Sequence, residues 1–193
     1  RFAASRPRMH LECACCDCRQ ANEWSAWQGG RPAPTPLSLL YYFDNDVVDV
    51  RGKEYLELQQ LRSGARSTRC VAKCCQAILA VDHPAYQTNV VMVPAGACDL
   101  SAESLPPALA RVYADDWDAA HDGLAPPPPP PIASQGVALP SGTDPTKPWR
   151  AFFALPMEAP RIGVSLQHVM AQLQPPVILG LEEARRFGQK GLS

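Results

Sequence analysis

The chain lacks an excess of charge of either sign. Its 18 Lys and Arg stand against 19 Asp and Glu, a formal net charge of -1 over 193 residues. That balance argues against a protein that binds nucleic acid by bulk charge. No apolar run approaches the ~20 residues that a membrane-spanning helix needs, so no transmembrane segment is expected. There is no glycine-rich phosphate loop, no His-Glu-x-x-His and no Ser–His–Asp order. A secretory hydrophobic region is also missing, which gives no sign of an oxidising compartment. Eight cysteines in a reducing compartment point to metal or catalysis rather than to disulfides. With 46% hydrophobic residues the chain can still bury a core.

Two residue types are abundant, and they are segregated. Cys13, Cys15, Cys16, Cys18, Cys70, Cys74, Cys75 and Cys98 concentrate in the first half. The 21 prolines concentrate in the second, with an unbroken run of six at 126–131. The first eight residues are basic, acid-free and rich in small side chains. They fit an organellar transit remnant, a tag scar or a processed tail. The expected location is mitochondrial, otherwise cytoplasmic.

Residues 1–100 read as short strands separated by turns. Apolar or β-branched runs at 37–43, 47–50, 55–61, 78–81 and 90–93 alternate with Gly-, Pro- and Asp-rich breaks. This pattern predicts a mainly β domain over residues 1–120. Residues 28–36 read as a loop. Residues 108–120 have helical composition, with Leu109, Val112, Tyr113 and Trp117 near helical spacing. A Pro-rich linker is expected over 121–148, with polyproline II character at the hexaproline. An extension with short helices is expected over 149–193. One helix is capped by Ser165, with Leu166, Val169, Met170 and Leu173 on one face. Another covers 181–187 and closes at Gly188. Such short helices cannot stand alone in water, so the tail must lie on the first domain or on another protein.

Cys13-x-Cys15-x-x-Cys18 places three thiols within six residues. Mutual disulfides at that spacing are strained. Alternating and turn-related side chains can instead converge on one ion. Three thiolates around Zn²⁺ leave a fourth position open, as in a catalytic site. Cys16 faces away if Cys15 is a ligand. Arg19 can offset the thiolate charge or bind an anion. Cys74 and Cys75 form a second candidate metal pair with Cys70 nearby, against the simpler reading of buried small hydrophobes. A redox role for Cys74–Cys75 has little basis, because the redox signature is Cys-x-x-Cys.

The segment Cys13-Ala14-Cys15-Cys16-Asp17-Cys18-Arg19, followed by Trp24-Ser25-Ala26-Trp27, resembles the glutathione-dependent formaldehyde-activating enzyme and centromere protein V family. Val50-Arg51-Gly52, the strand near Leu56 to Leu61, the basic 66–69 segment and Cys75-Gln76-Ala77-Ile78-Leu79 resemble its later segment. The resemblance covers about residues 1–115. It implies a zinc-containing β domain of the Mss4-like kind, with a catalytic-type zinc on Cys13, Cys15 and Cys18. It also implies carbon–sulfur lyase chemistry on a glutathione adduct of a small aldehyde, with Arg19 helping to bind a carboxylate. A second, structural zinc in the family uses an early Cys-x-Cys pair and a later Cys-x-x-Cys. The early pair is absent here. Cys75 falls on the second position of the later pair and Ala72 on the first, leaving Cys74 or Cys70 as substitutes. The alternative function is a non-catalytic accessory subunit of a larger, mitochondrial assembly. Its protein partners would engage the 125–193 tail.

Overall fold

The computed structural model describes residues 1–3, 6–30, 37–97, 106, 108–116 and 149–181. Among them lies a mixed sheet of eight strands in the order β7-β1-β2-β6-β5-β4-β3-β8. The strands are β1 (Met9–Cys13), β2 (Ser38–Asp44), β3 (Leu56–Gln60), β4 (Thr68–Ala72), β5 (Ile78–Asp82), β6 (Val90–Pro94), β7 (Ala110–Val112) and β8 (Val177–Ile178). Pairing is antiparallel except at the two ends, where β1–β7 and β3–β8 run parallel. The helices are α1 (Cys16–Trp27), α2 (Trp149–Ala154) and α3 (Leu166–Met170). The mainly β expectation is met.

The central strands are apolar on both faces, as strands covered on two sides must be. On β2, Leu40 and Tyr42 join one core with Met9, Leu11, Val90, Met92 and Phe153. Their neighbours Tyr41 and Phe43 join the other, with Leu58, Cys70, Val91, Val93 and Met170. The two helices of the extension divide this work. α2 brings Phe153 against the first core, and α3 brings Leu166, Val169 and Met170 against the second. Residues 149–181 therefore lie on the protein's own sheet. Burying a side chain such as Phe153 contributes about 1.5–3 kcal/mol.

Polar staples hold that arrangement. Asn45 is fully buried after β2; its Nδ2 donates to Gln167 Oε1 at 2.8 Å, and its Oδ1 accepts from Leu166 N–H at 2.7 Å. Asp46 accepts from Gly163 N–H at 2.6 Å and Ile162 N–H at 2.9 Å. Gly163 passes so close to Val47 that a Cβ there would lie 2.2 Å from its carbonyl oxygen. Ser165 caps α3 as expected, its hydroxyl accepting from His168 N–H at 3.1 Å.

Three sequence expectations are corrected. The run at 47–50, read as a strand, makes only isolated bridges at Val47, to Phe2 and to Val164. Residues 16–27 form a helix inside a region read as strands. Its buried side chains are the small Cys16, Ala21 and Ser25, so no large apolar stripe advertises it. Residues 110–112 form β7 where a helix was expected over 108–120. Pairing with the open edge of β1, reinforced by Arg111 Nε donating to Glu12 Oε2 at 3.0 Å, outweighs alanine's helix preference. The hexaproline, the 121–148 linker, Trp117, Cys98, residues 31–36 and residues 182–187 of the second helical segment lie outside the described residues.

Candidate metal centre

Cys13, Cys15 and Cys18 are brought together where β1 hands over to α1. Cys13 ends the strand in register with Val112 of β7. Ala14 N–H donates to Val112 C=O at 3.0 Å, which fixes the turn. Cys15 is the N-cap of α1, its Sγ accepting from Cys18 N–H at 3.3 Å in the place a Ser or Asp oxygen usually takes. Cys18 then rises from the first helical turn. The three sulfurs lie within 4.8 Å of one another. A tetrahedral thiolate site with bonds of about 2.3 Å spaces its sulfurs at about 3.8 Å, so closure needs small side-chain shifts. Three soft thiolates with this convergence could hold a metal ion and fit Zn²⁺.

The thiols share their protons unequally. Hydrogen bonds from Cys13 and Cys15, then the nearby Arg69 charge, hold the Cys18 thiol well below its ordinary value despite burial. Cys13 is pushed well up by its hydrogen bonds to Cys15 and Cys18 and by burial. Cys15, though its hydrogen bond with Cys13 favours the thiolate, is raised to about 12 by the bond to Cys18 and by burial. Tyr113 directly follows the Val112 that pairs with Cys13. Its φ of +58° is a left-handed conformation uncommon for a bulky residue, and the nearby thiols help burial raise its hydroxyl.

The other predicted residues take different places. Arg19 Nη2 reaches the Sγ of buried Cys16 at 4.0 Å. Cys70 sits inside β4, buried in the second core. Cys74 is exposed and Cys75 half-buried in the β4–β5 turn. That turn meets the far end of α1. Ser25 Oγ donates to Gln76 C=O at 2.7 Å, and a Cβ on Gly30 would lie 2.8 Å from the Cys75 carbonyl. Seven helical residues, about 10 Å, separate Ser25 from Cys18. Among the described residues Cys74 and Cys75 join no group of three metal-ligating side chains. The structure thus unites three of the five expected ligands.

Arg69 was missed by sequence reasoning. It is 5% exposed on β4, and its charge acts on Cys18. The only signal was one basic residue entering an apolar strand. Beside it opens a cavity of about 200 Å³ between α1 and the sheet, reaching Cys18 at one end. Among the described residues no helix is long and apolar enough to cross a membrane. No family model matches the chain, and neither a curated protein nor a solved structure matches it.

Proposed function

We propose that this chain is a zinc-thiolate β domain of the Mss4-like kind, acting as a carbon–sulfur lyase on glutathione adducts of small aldehydes. One observation carries the reading: three thiols converge within 4.8 Å, and one of them, Cys18, lines a cavity large enough for a small molecule. The resemblance of residues 13–19 to the formaldehyde-activating family supplies the chemistry. Cys13, Cys15 and Cys18 hold the metal. Zn²⁺ bound there would supply a Lewis acid able to keep a coordinated thiol deprotonated near neutral pH. The chain's own residues do the rest. Arg69 offsets the negative charge that three thiolates bring, and the apolar walls of the cavity exclude water from the reacting end. Cys15, as the helix cap, fixes the angle at which Cys18 leaves α1.

The test has two arms. Purified full-length protein should contain one zinc per chain, and should accelerate formation of the glutathione–formaldehyde adduct above the spontaneous rate. Zinc at one per chain without acceleration would remove the lyase and leave the metal domain. Absence of metal would remove both.

A second reading, a non-catalytic subunit of a larger assembly, draws on a separate observation. Ile162, Val177 and Ile178 are exposed along the extension, and the last two form a short outer strand with a free edge among the described residues. Migration as a free monomer in native extracts would count against it.

A further inference from the structure

Among the described residues, Arg62, Arg69 and Arg111 each carry a buried terminal nitrogen with no hydrogen-bond partner. Two of them are otherwise compensated, Arg62 by Asp17 at 2.5 Å and Arg111 by Glu12. Arg69 differs. Among the described residues it has no carboxylate partner, and its one hydrogen bond donates from Nη2 to the backbone oxygen of Asp17 at 3.4 Å. The negative group its charge acts on is the Cys18 thiol, and a buried guanidinium without a carboxylate partner is costly. This one also lines the cavity between α1 and the sheet.

The rest of that cavity asks for little polarity. Asn22 Nδ2 already donates to Ser38 Oγ at 3.0 Å, and Ser25 Oγ to Gln76 C=O at 2.7 Å. Most of the remaining wall is apolar, with Leu40, Ile78 and Met92 among its residues. A cavity of about 200 Å³ compares with the ~150 Å³ that accommodates benzene. The space therefore takes a body of about six to eight carbons with one charged end.

We propose that this cavity is a binding site for a small monocarboxylate, whose carboxylate pairs with Arg69 and whose apolar body lies against Ile78 and Met92. A carboxylate against the Arg69 guanidinium supplies the charge-assisted pairing that no carboxylate of the described residues gives it. The site stands on Arg69 and the cavity rather than on the metal. It also deepens the proposed function, since Cys18 lines the same space and the Arg69 charge acts on it: an acid held on Arg69 has its carboxylate end near Cys18.

The probes are hexanoate, benzoate, 1-hexanol and hexylammonium, titrated into the full chain by calorimetry and by backbone amide NMR. Hexanoate and benzoate should bind saturably and shift the amides of Ser38, Ile78 and Ala97. Hexanol should bind at least about tenfold more weakly, because it lacks the charge-assisted bond. Arg69→Met, which keeps the aliphatic stem, should weaken hexanoate by about tenfold or more and leave hexanol unchanged. If that variant does not fold, the four probes on the native chain still decide. Equal affinity for hexanoate and hexanol, or shifts confined to other amides, would overturn the site. Cys13→Ser protein should keep hexanoate binding while losing zinc. Retained binding with no zinc in native protein would mean the carboxylate site is right and the metal reading wrong.

Discussion

Cys13, Cys15 and Cys18 form one cysteine group of this protein; Cys70, Cys74 and Cys75 form the other. Both pack three thiols into a span of six residues. Only the first converges. It straddles a strand end, a helix cap and a first helical turn, and these three local geometries aim side chains at one point. The second straddles a strand and a hairpin turn, so Cys70 is buried in the second core while Cys74 faces solvent. Spacing alone does not make a metal site; the element boundary that falls within the spacing does.

The sharpest way to break this contrast is to count metal. Cys15→Ser should take the zinc-to-protein ratio from one to none, measured by elemental analysis of purified protein. Cys74→Ser with Cys75→Ser should leave it at one. A native ratio of two, falling to one in that double variant, would show that the second group also binds. Reactivity separates the members of the second group next. In native protein, site-resolved alkylation should modify Cys74 at least about a hundredfold faster than Cys70, which reacts only after an opening that costs about 3 kcal/mol.

Alkali should act through burial rather than through exposed thiols. Burial raises the Cys70 thiol from 9.0 to about 11. Below pH 9 both folded and unfolded chains hold that proton. Between 9 and 11 the unfolded chain loses it first, so stability falls as pH rises, by about 2 kcal/mol for this thiol. Burial shifts Tyr42 and Tyr86 in the same sense. Urea midpoints at pH 8 and 10.5 should show the loss, and Cys70→Ala should reduce it. The smallest effect belongs to Gly30→Ala. Its new Cβ would sit 2.5 Å from Ser25 Oγ and 2.8 Å from the Cys75 carbonyl, loosening the turn that carries Cys74 and Cys75. A cost of about 1–2 kcal/mol in the urea midpoint is expected, with the zinc ratio unchanged.

Much of the sheet was legible. The runs that became β2, β3, β5 and β6 carry β-branched, aromatic or alternating residues bounded by turn formers, and each strand falls within one or two residues of its run. The Ser165-capped helix was legible too. α1 was not, because its buried side chains are small, and β7 was not, because its state depends on pairing with β1, whose partner residues lie 99 positions earlier in the chain. At the site, the tight spacing of Cys13, Cys15 and Cys18 announced convergence. Arg69 could not be seen, since a basic residue in a strand looks the same whether it faces water or a cavity.

The two parallel pairings at the ends of the sheet have a consequence for biosynthesis. Leu11 meets Ala110, and Gln59 meets Val177. Each outer strand is docked by chain made long after its partner. At about 5–20 residues per second the emerging polypeptide waits several seconds with those edges bare. Loop closures of this length also slow the search for the native pairing. The native sheet cannot be complete until residue 178 has left the ribosome, so the outermost strand waits on chain made 118 residues after the Gln59 it pairs with.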